Sequence, residues 1–163
     1  MDLYSKEKQS FRNSKKSTFT EKVYEQIGAL CFKVVGGKVL VLLITSRGSK
    51  RWIIPKGWKL DKLSNRKSAA LEAWEEAGVQ GRVGSRSLGN YYYRKSDNTE
   101  DFFTCSVRVF AIKVSQKKKK FPEQGQRKSK WVEPAVAITM VAEPELKSII
   151  KKITQKKLKK LFL

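Results

Sequence analysis

The chain of 163 residues sets 36 Lys and Arg against 15 Asp and Glu, a formal charge of +21, and contains two Cys and no His. Without His there is no Ser-His-Asp or Cys-His relay and no His-ligated zinc or haem, and two Cys cannot build a four-Cys zinc site. A general acid or base must therefore be a carboxylate, Lys, Tyr or thiol, and a metal site must be made mainly of oxygen ligands, which suits Mg²⁺, Mn²⁺ or Ca²⁺.

Residues 1–22 mix Ser, Lys, Thr and Asn without hydrophobic periodicity, which predicts a disordered basic tail and no signal peptide. One domain is expected over residues 23–163, a length that buries enough surface to fold without disulfides. Two β-branched apolar runs, residues 23–35 and 38–46, flank Gly36-Gly37 and predict a hairpin with a tight turn. Residues 51–54 read as a short strand stopped by Pro55, and residues 57–64 as a loop. Ser64 or Asn65 can cap a helix that runs to Ala77, where Gly78 supplies a left-handed stop. Strands follow over residues 82–94 and 102–114, then a basic loop over residues 117–130. Tyr91 and Tyr93 alternate onto one sheet face, where core packing is the simpler role and base stacking the other.

Pro134 and Pro144 each suit the first turn of a helix, and Leu146, Ile149, Ile150 and Ile153 recur at helical spacing. The C-terminal segment is thus an amphipathic basic helix. The order β-β-β-α-β-β-α-α predicts an α+β fold, a mixed β-sheet flanked by helices. Cys31 and Cys105 each lie in apolar runs and read as buried thiols. The longest apolar run, residues 39–44, is too short to span a bilayer, and a cytoplasmic location is expected.

Glu72, Glu75 and Glu76 stand at i, i+3 and i+4, within one arc of the predicted helix. The other arc holds Ala70, Ala73 and Ala77, with Trp74 beside them. Three like charges on one arc repel, and none has the Lys partner that a stabilising surface face would place at i+4. A divalent cation removes that conflict.

Gly57 precedes this cluster and Gly78 closes the helix after it. Here the chain resembles the Nudix hydrolases, whose box reads G-x5-E-x7-R-E-U-x-E-E-x-G-U. Gly57, Glu72, Glu75, Glu76, Gly78 and Val79 fall in register, and Ala73 stands at the first aliphatic position. Leu63 and Leu71 occupy the box Glu and Arg positions, where the family places residues that support the loop and orient the glutamates. The resemblance extends over about residues 23–155. Ala29-Leu30-Cys31-Phe32 and Arg51-Trp52-Ile53-Ile54-Pro55-Lys56-Gly57 are similar to the diphosphoinositol polyphosphate and diadenosine polyphosphate hydrolases of that superfamily.

The resemblance implies an α/β/α sandwich and metal-dependent cleavage of a phosphoanhydride. By the same resemblance, Glu72 and Glu76 ligate Mg²⁺ or Mn²⁺ with the backbone carbonyl of Lys56. Glu75 is the general base or a ligand to a second ion, and Glu123 is a candidate base from a later loop. Arg47, Arg51, Lys56, Arg94 and Arg127 are candidate phosphate contacts, since a guanidinium pairs with phosphate bidentately. The expected partner is a phosphate-rich small molecule. The alternative is a nucleic-acid-binding module on a catalytically weak scaffold, holding phosphates through the basic tail and Lys runs.

Overall fold

The computed structural model describes residues 22–96 and 102–162. All but Lys22 of the expected tail, and the tip of the turn after Ser96, lie outside the described residues. The elements in chain order are β1 (Val23–Val35), β2 (Lys38–Thr45), β3 (Trp52–Ile53), β4 (Lys56–Trp58), α1 (Asn65–Ala77), β5 (Val79–Ser96), β6 (Phe102–Lys117) and β7 (Ser129–Val132), followed by α2 (Pro134–Met140), α3 (Pro144–Lys151) and α4 (Gln155–Lys160).

One seven-stranded mixed sheet organises the chain, with β1 running parallel to β6 and antiparallel to β2. Gly36 and Gly37, at φ 56° and 77°, form the hairpin turn that positive φ at both positions allows. β1 and β2 pair only over four residue pairs, from Phe32 with Val41 to Val35 with Lys38. Beyond them β2 diverges to pair with β7 and β3. The edge of β1 that β2 leaves is taken by β4, with Gln26 opposite Trp58 and Gly28 opposite Lys56. Ala29 N–H donates to the Pro55 carbonyl at 2.9 Å and closes the split. Lys56 and Gly57 therefore enter the sheet where two strands part.

The central strands bury both faces, so they read as unbroken apolar runs rather than alternation. Along β1, Ile27, Ala29 and Cys31 face the α1 layer with Ala69, Ala73 and Ala77. Leu30 and Phe32 face the other layer, with Tyr91, Leu146, Ile150 and Leu158. Cys31 and Cys105 are free buried thiols, as expected. Full burial of side chains such as Ile150 is worth about 1.5–3 kcal/mol each, so α3 and α4 close this core.

Several boundaries differ from the sequence reading. Residues 57 and 58, read as the start of a loop, join Lys56 in β4, and residues 129–132, read as loop end and segment start, form β7. Both strands are too short to carry a periodic signal; partner edges recruit them. The C-terminal segment divides into α3 and α4, because Thr154 accepts from Lys157 N–H and starts a new helix at 3.1 Å. No helix among the described residues is long and apolar enough to cross a membrane.

Candidate active site

Ser64 caps α1, accepting from Lys67 N–H at 3.2 Å, an interaction worth about 1 kcal/mol. Gly78 ends it at φ 66°, the left-handed conformation the sequence predicts. The buried face is Ser68, Ala69, Ala73, Glu76 and Ala77. The reading that set all three glutamates on an arc opposite the alanines is corrected here: Glu76 is only 7% exposed. It sits on the alanine side because it stands three residues after Ala73 and seven after Ala69, on the same face of the helix.

Glu72 packs its carboxylate directly over Gly57. A Cβ at that glycine would overlap all three carboxylate atoms, so the first box residue is glycine for close approach. Glu72 and Glu76 are close enough for each to act on the other's ionisation. Burial pushes Glu76 up to about 8; Arg127 opposes that shift, while Glu72 and Glu123 add to it. Glu72 is raised too, first by burial and then by the charge of Glu75. Glu76 Oε2 is buried and accepts no hydrogen bond.

The loop after β6 docks on the C-terminal end of α1. Lys118 N–H donates to the Gly78 carbonyl at 2.8 Å and Glu123 N–H to the Glu75 carbonyl at 3.0 Å. Phe121 lies against Gly78 and 6.5 Å from the Trp74 ring. This docking carries Arg127 to Glu76, where its side chain is 8% exposed. Arg127 Nη2 stands 3.5 Å from Glu76 Oε2 and 3.2 Å from Glu123 Oε1, while Nη1 donates to the Thr45 carbonyl at 3.1 Å. Arg47 reaches the same Glu123 oxygen at 3.3 Å. Glu123 is thus engaged by two guanidinium groups. Leu63 and Leu71, at the box Glu and Arg positions, line an apolar groove of about 430 Å³ beside α1. The guanidinium beside Glu76 comes instead from Arg127.

Lys56 lies on the other side of Glu76. Its ammonium donates to Tyr93 Oη at 3.0 Å, and Tyr93 donates to Gln26 Oε1 at 2.6 Å. Burial lowers the Lys56 pKa, and the nearby Glu76 charge resists that shift. Arg51 Nη1 lies 3.8 Å from Glu143 Oε1, while Glu143 Oε2 is buried and accepts no hydrogen bond. Arg94, on β5 opposite Thr104, holds its guanidinium 5.4 Å over the Phe102 ring. Tyr91 is fully buried and Tyr93 packs beside it, so the alternation argument for core packing holds.

The fold therefore gathers Glu72, Glu123, Arg127 and Lys56 around Glu76, with Arg47 reaching Glu123. Glu75 is half-buried on α1 and has no ion-pair partner among the described residues. Arg51 and Arg94 are held by other partners. Sequence reasoning missed the pairing of Arg127 with Glu76, and missed Gln26, Tyr93 and Glu143 as polar neighbours of Lys56 and Arg51. No local pattern signals contacts made across the loop docking.

Among the described residues no three carboxylates converge as a ready-made metal cage. Glu72 and Glu76 supply two, one with a buried oxygen that accepts no hydrogen bond. That donor set fits Mg²⁺ or Mn²⁺, which are held by one or two carboxylates and complete their shell with water and substrate phosphate.

Comparison with known proteins finds relatives of one kind. The chain is 33% identical over 119 residues to Nudix hydrolase 16, mitochondrial, of Arabidopsis thaliana, covering 70% of this chain and 65% of that protein. It is 36% identical over 67 residues to diphosphoinositol polyphosphate phosphohydrolase 3-beta of Bos taurus, covering 41% of this chain and 40% of that one. The chain spans about half to two thirds of the length of the first curated relatives it matches. The crystal structure of C. elegans Ap4A hydrolase superposes with a TM-score of 0.57 at 17% identity, over 80% of this chain and 96% of that one. No family model matches.

Proposed function

We propose, from the premise that this chain is a Nudix-family protein by sequence relationship and by fold, that it is a metal-dependent hydrolase of phosphoanhydride bonds in phosphate-rich small molecules. The observation that carries this reading is the pair Glu72 and Glu76: half-buried Glu72 is lodged against Gly57, and the buried Oε2 of Glu76 accepts no hydrogen bond and stands 3.5 Å from the Arg127 guanidinium. Two adjacent carboxylates drawn out of water are costly unless a cation or proton neutralises them.

The residues that would hold Mg²⁺ or Mn²⁺ are Glu72, Glu76 and the Lys56 carbonyl. When bound, the ion supplies charge neutralisation at the phosphoryl oxygens and acidifies an attacking water. Arg127, Arg47 and Lys56 bind and orient the phosphates through charge-assisted hydrogen bonds. Glu123 keeps the two guanidinium groups converged on the cleft. Glu75, free of ion pairs, takes the proton from the attacking water. The names of the bovine phosphohydrolase and the C. elegans enzyme point to diphosphoinositol polyphosphates and Ap4A as substrate classes.

The test is a panel of diphosphoinositol polyphosphates and diadenosine polyphosphates with Mg²⁺, with Mn²⁺ and with chelator. Turnover that appears only with metal is expected. Failure to cleave every member of the panel with either ion overturns the reading.

A further inference from the structure

α4 turns its two sides to different media. Leu158 and Leu161 are buried in the core, while Lys156, Lys159 and Lys160, and Lys151 and Lys152 just before the helix, are exposed. None of these ammonium groups has an ion-pair partner among the described residues. No acidic residue stands between Glu145 and Leu163 to offset them. The segment is fixed at both ends: Gln155 Nε2 donates to the Gly37 carbonyl, and Ser85 N–H donates to the Leu161 carbonyl at 2.9 Å. Arg82 extends the cationic face, its guanidinium 5.8 Å over the Phe162 ring.

The Gln155 bond sets α4 against the turn between β1 and β2. That turn carries Val34 and Val35, 45% and 54% exposed. Beside them stand Gly36 and Gly37, where a Cβ would meet nothing within 4 Å, so the tip projects clear of the fold. Phe32 packs in the core layer that holds Leu158, and alternation puts Val34 on that same side of the sheet. Exposed aliphatic side chains at a projecting tip therefore border a row of unpaired lysines.

We propose that the β1–β2 turn and α4 together form a docking surface for an anionic lipid bilayer. The lysines meet the headgroup charge, and Val34 and Val35 enter the boundary between headgroups and acyl chains. Charge alone would fit any polyanion; the valines decide the occupant. They gain by leaving water for hydrocarbon, and they offer a nucleic-acid strand neither a stacking face nor a hydrogen bond. The cations of α4 are all Lys, compact point charges that suit a diffuse headgroup layer. The apolar side of α4 stays in the core, so the helix lies on the membrane and the turn inserts. From Gly28, which pairs with Lys56, to Val35 is seven residues of β1, about 23 Å. The surface is thus separate from the glutamate site, and it holds whatever reaction that site performs.

The test is co-sedimentation of the whole chain with vesicles of phosphatidylcholine alone and with about one fifth phosphatidylserine. Binding to the anionic vesicles should be at least about tenfold tighter, and raising NaCl from about 0.1 M to about 0.5 M should release the protein. Lys159→Gln with Lys160→Gln should weaken binding about tenfold or more. Val34→Ser with Val35→Ser should weaken it about tenfold with the charge unchanged. Val35→Trp, which keeps the turn apolar and suits the interface, should tighten it. Equal binding to both vesicle types, or to neither, overturns the proposal, as does a Val35→Trp chain that binds no better than wild type. Anionic binding that survives both double substitutions assigns it to the basic residues 1–21 and overturns the proposal too. A single-stranded oligonucleotide held more tightly than the vesicles, and equally by the valine variant, overturns it in favour of a nucleic acid.

Discussion

Glu76 concentrates the conflict on which the site is built. It is buried beside another carboxyl and one guanidinium, and burial outweighs Arg127 to push its pKa up to about 8 from the ordinary 4.5. A carboxyl raised on folding contributes stability that is present below its unfolded pKa and lost as pH rises through its folded one. In chelator the melting temperature should therefore fall between about pH 4.5 and 8. Added Mg²⁺ or Mn²⁺ should restore it most at the upper end, since binding competes with the proton. A metal-induced rise no larger at pH 8 than at pH 5 would contradict this. Glu76→Gln should lower turnover by at least ~10²-fold while holding or raising the melting temperature in chelator, because it removes a buried charge. Near-normal kcat in that variant would remove Glu76 from the site.

At the scale of elements, α1 and the loop after β6 form one unit joined at Gly78. An alanine there meets two obstacles, a φ of 66° and a Cβ driven into the Phe121 ring. Gly78→Ala should cost about 1–2 kcal/mol in denaturant unfolding. It should also depress turnover, because the loop that carries Glu123 and Arg127 hangs from that end of the helix. Gly57→Ala is expected to behave differently. The three atoms nearest its Cβ are the carboxylate end of the Glu72 side chain, so the helix survives and the carboxylate is displaced. The melting temperature should stay within a few degrees (about 1 kcal/mol or less) while kcat collapses. A Gly57→Ala protein that is unstable but fully active would show that the glycine serves the fold rather than the cradle.

Across the whole molecule the charge of +21 meets a site that already sets Arg47, Arg127 and Lys56 about Glu76 and Glu123. Each extra substrate phosphate can recruit another charge-assisted hydrogen bond, worth about 1.5–3 kcal/mol before desolvation and screening. Catalytic efficiency should rise along the diadenosine di-, tri-, tetra- and pentaphosphate series and fall as salt is added. Arg47, whose side chain is 61% exposed, is the residue whose loss should flatten the series, since Arg127 is tied to the fold through Thr45. A flat rate series at low salt would show that the excess charge solvates the surface and plays no part in selection.

The amino-acid sequence by itself determined the glycine-bounded helix, its Ser64 cap, the Gly36-Gly37 hairpin and the strands around them. These follow from short-range rules: permitted φ, local capping and apolar runs long enough to register. It also held the in-register glycines and glutamates of the box, and so the chemistry proposed for them. Only the tertiary structure decided that Glu76 is buried, because burial depends on which face of α1 meets the sheet. The same holds for Arg127 standing beside Glu76, which requires Phe121 and Glu123 to dock on α1. β4 and β7 became strands because partner edges were open to them, a cause that no window of sequence contains. The rings of Trp58, Phe103 and Tyr24 come from three separate strands. They meet because backbone hydrogen-bond register, rather than any local pattern, sets which side chains share a face.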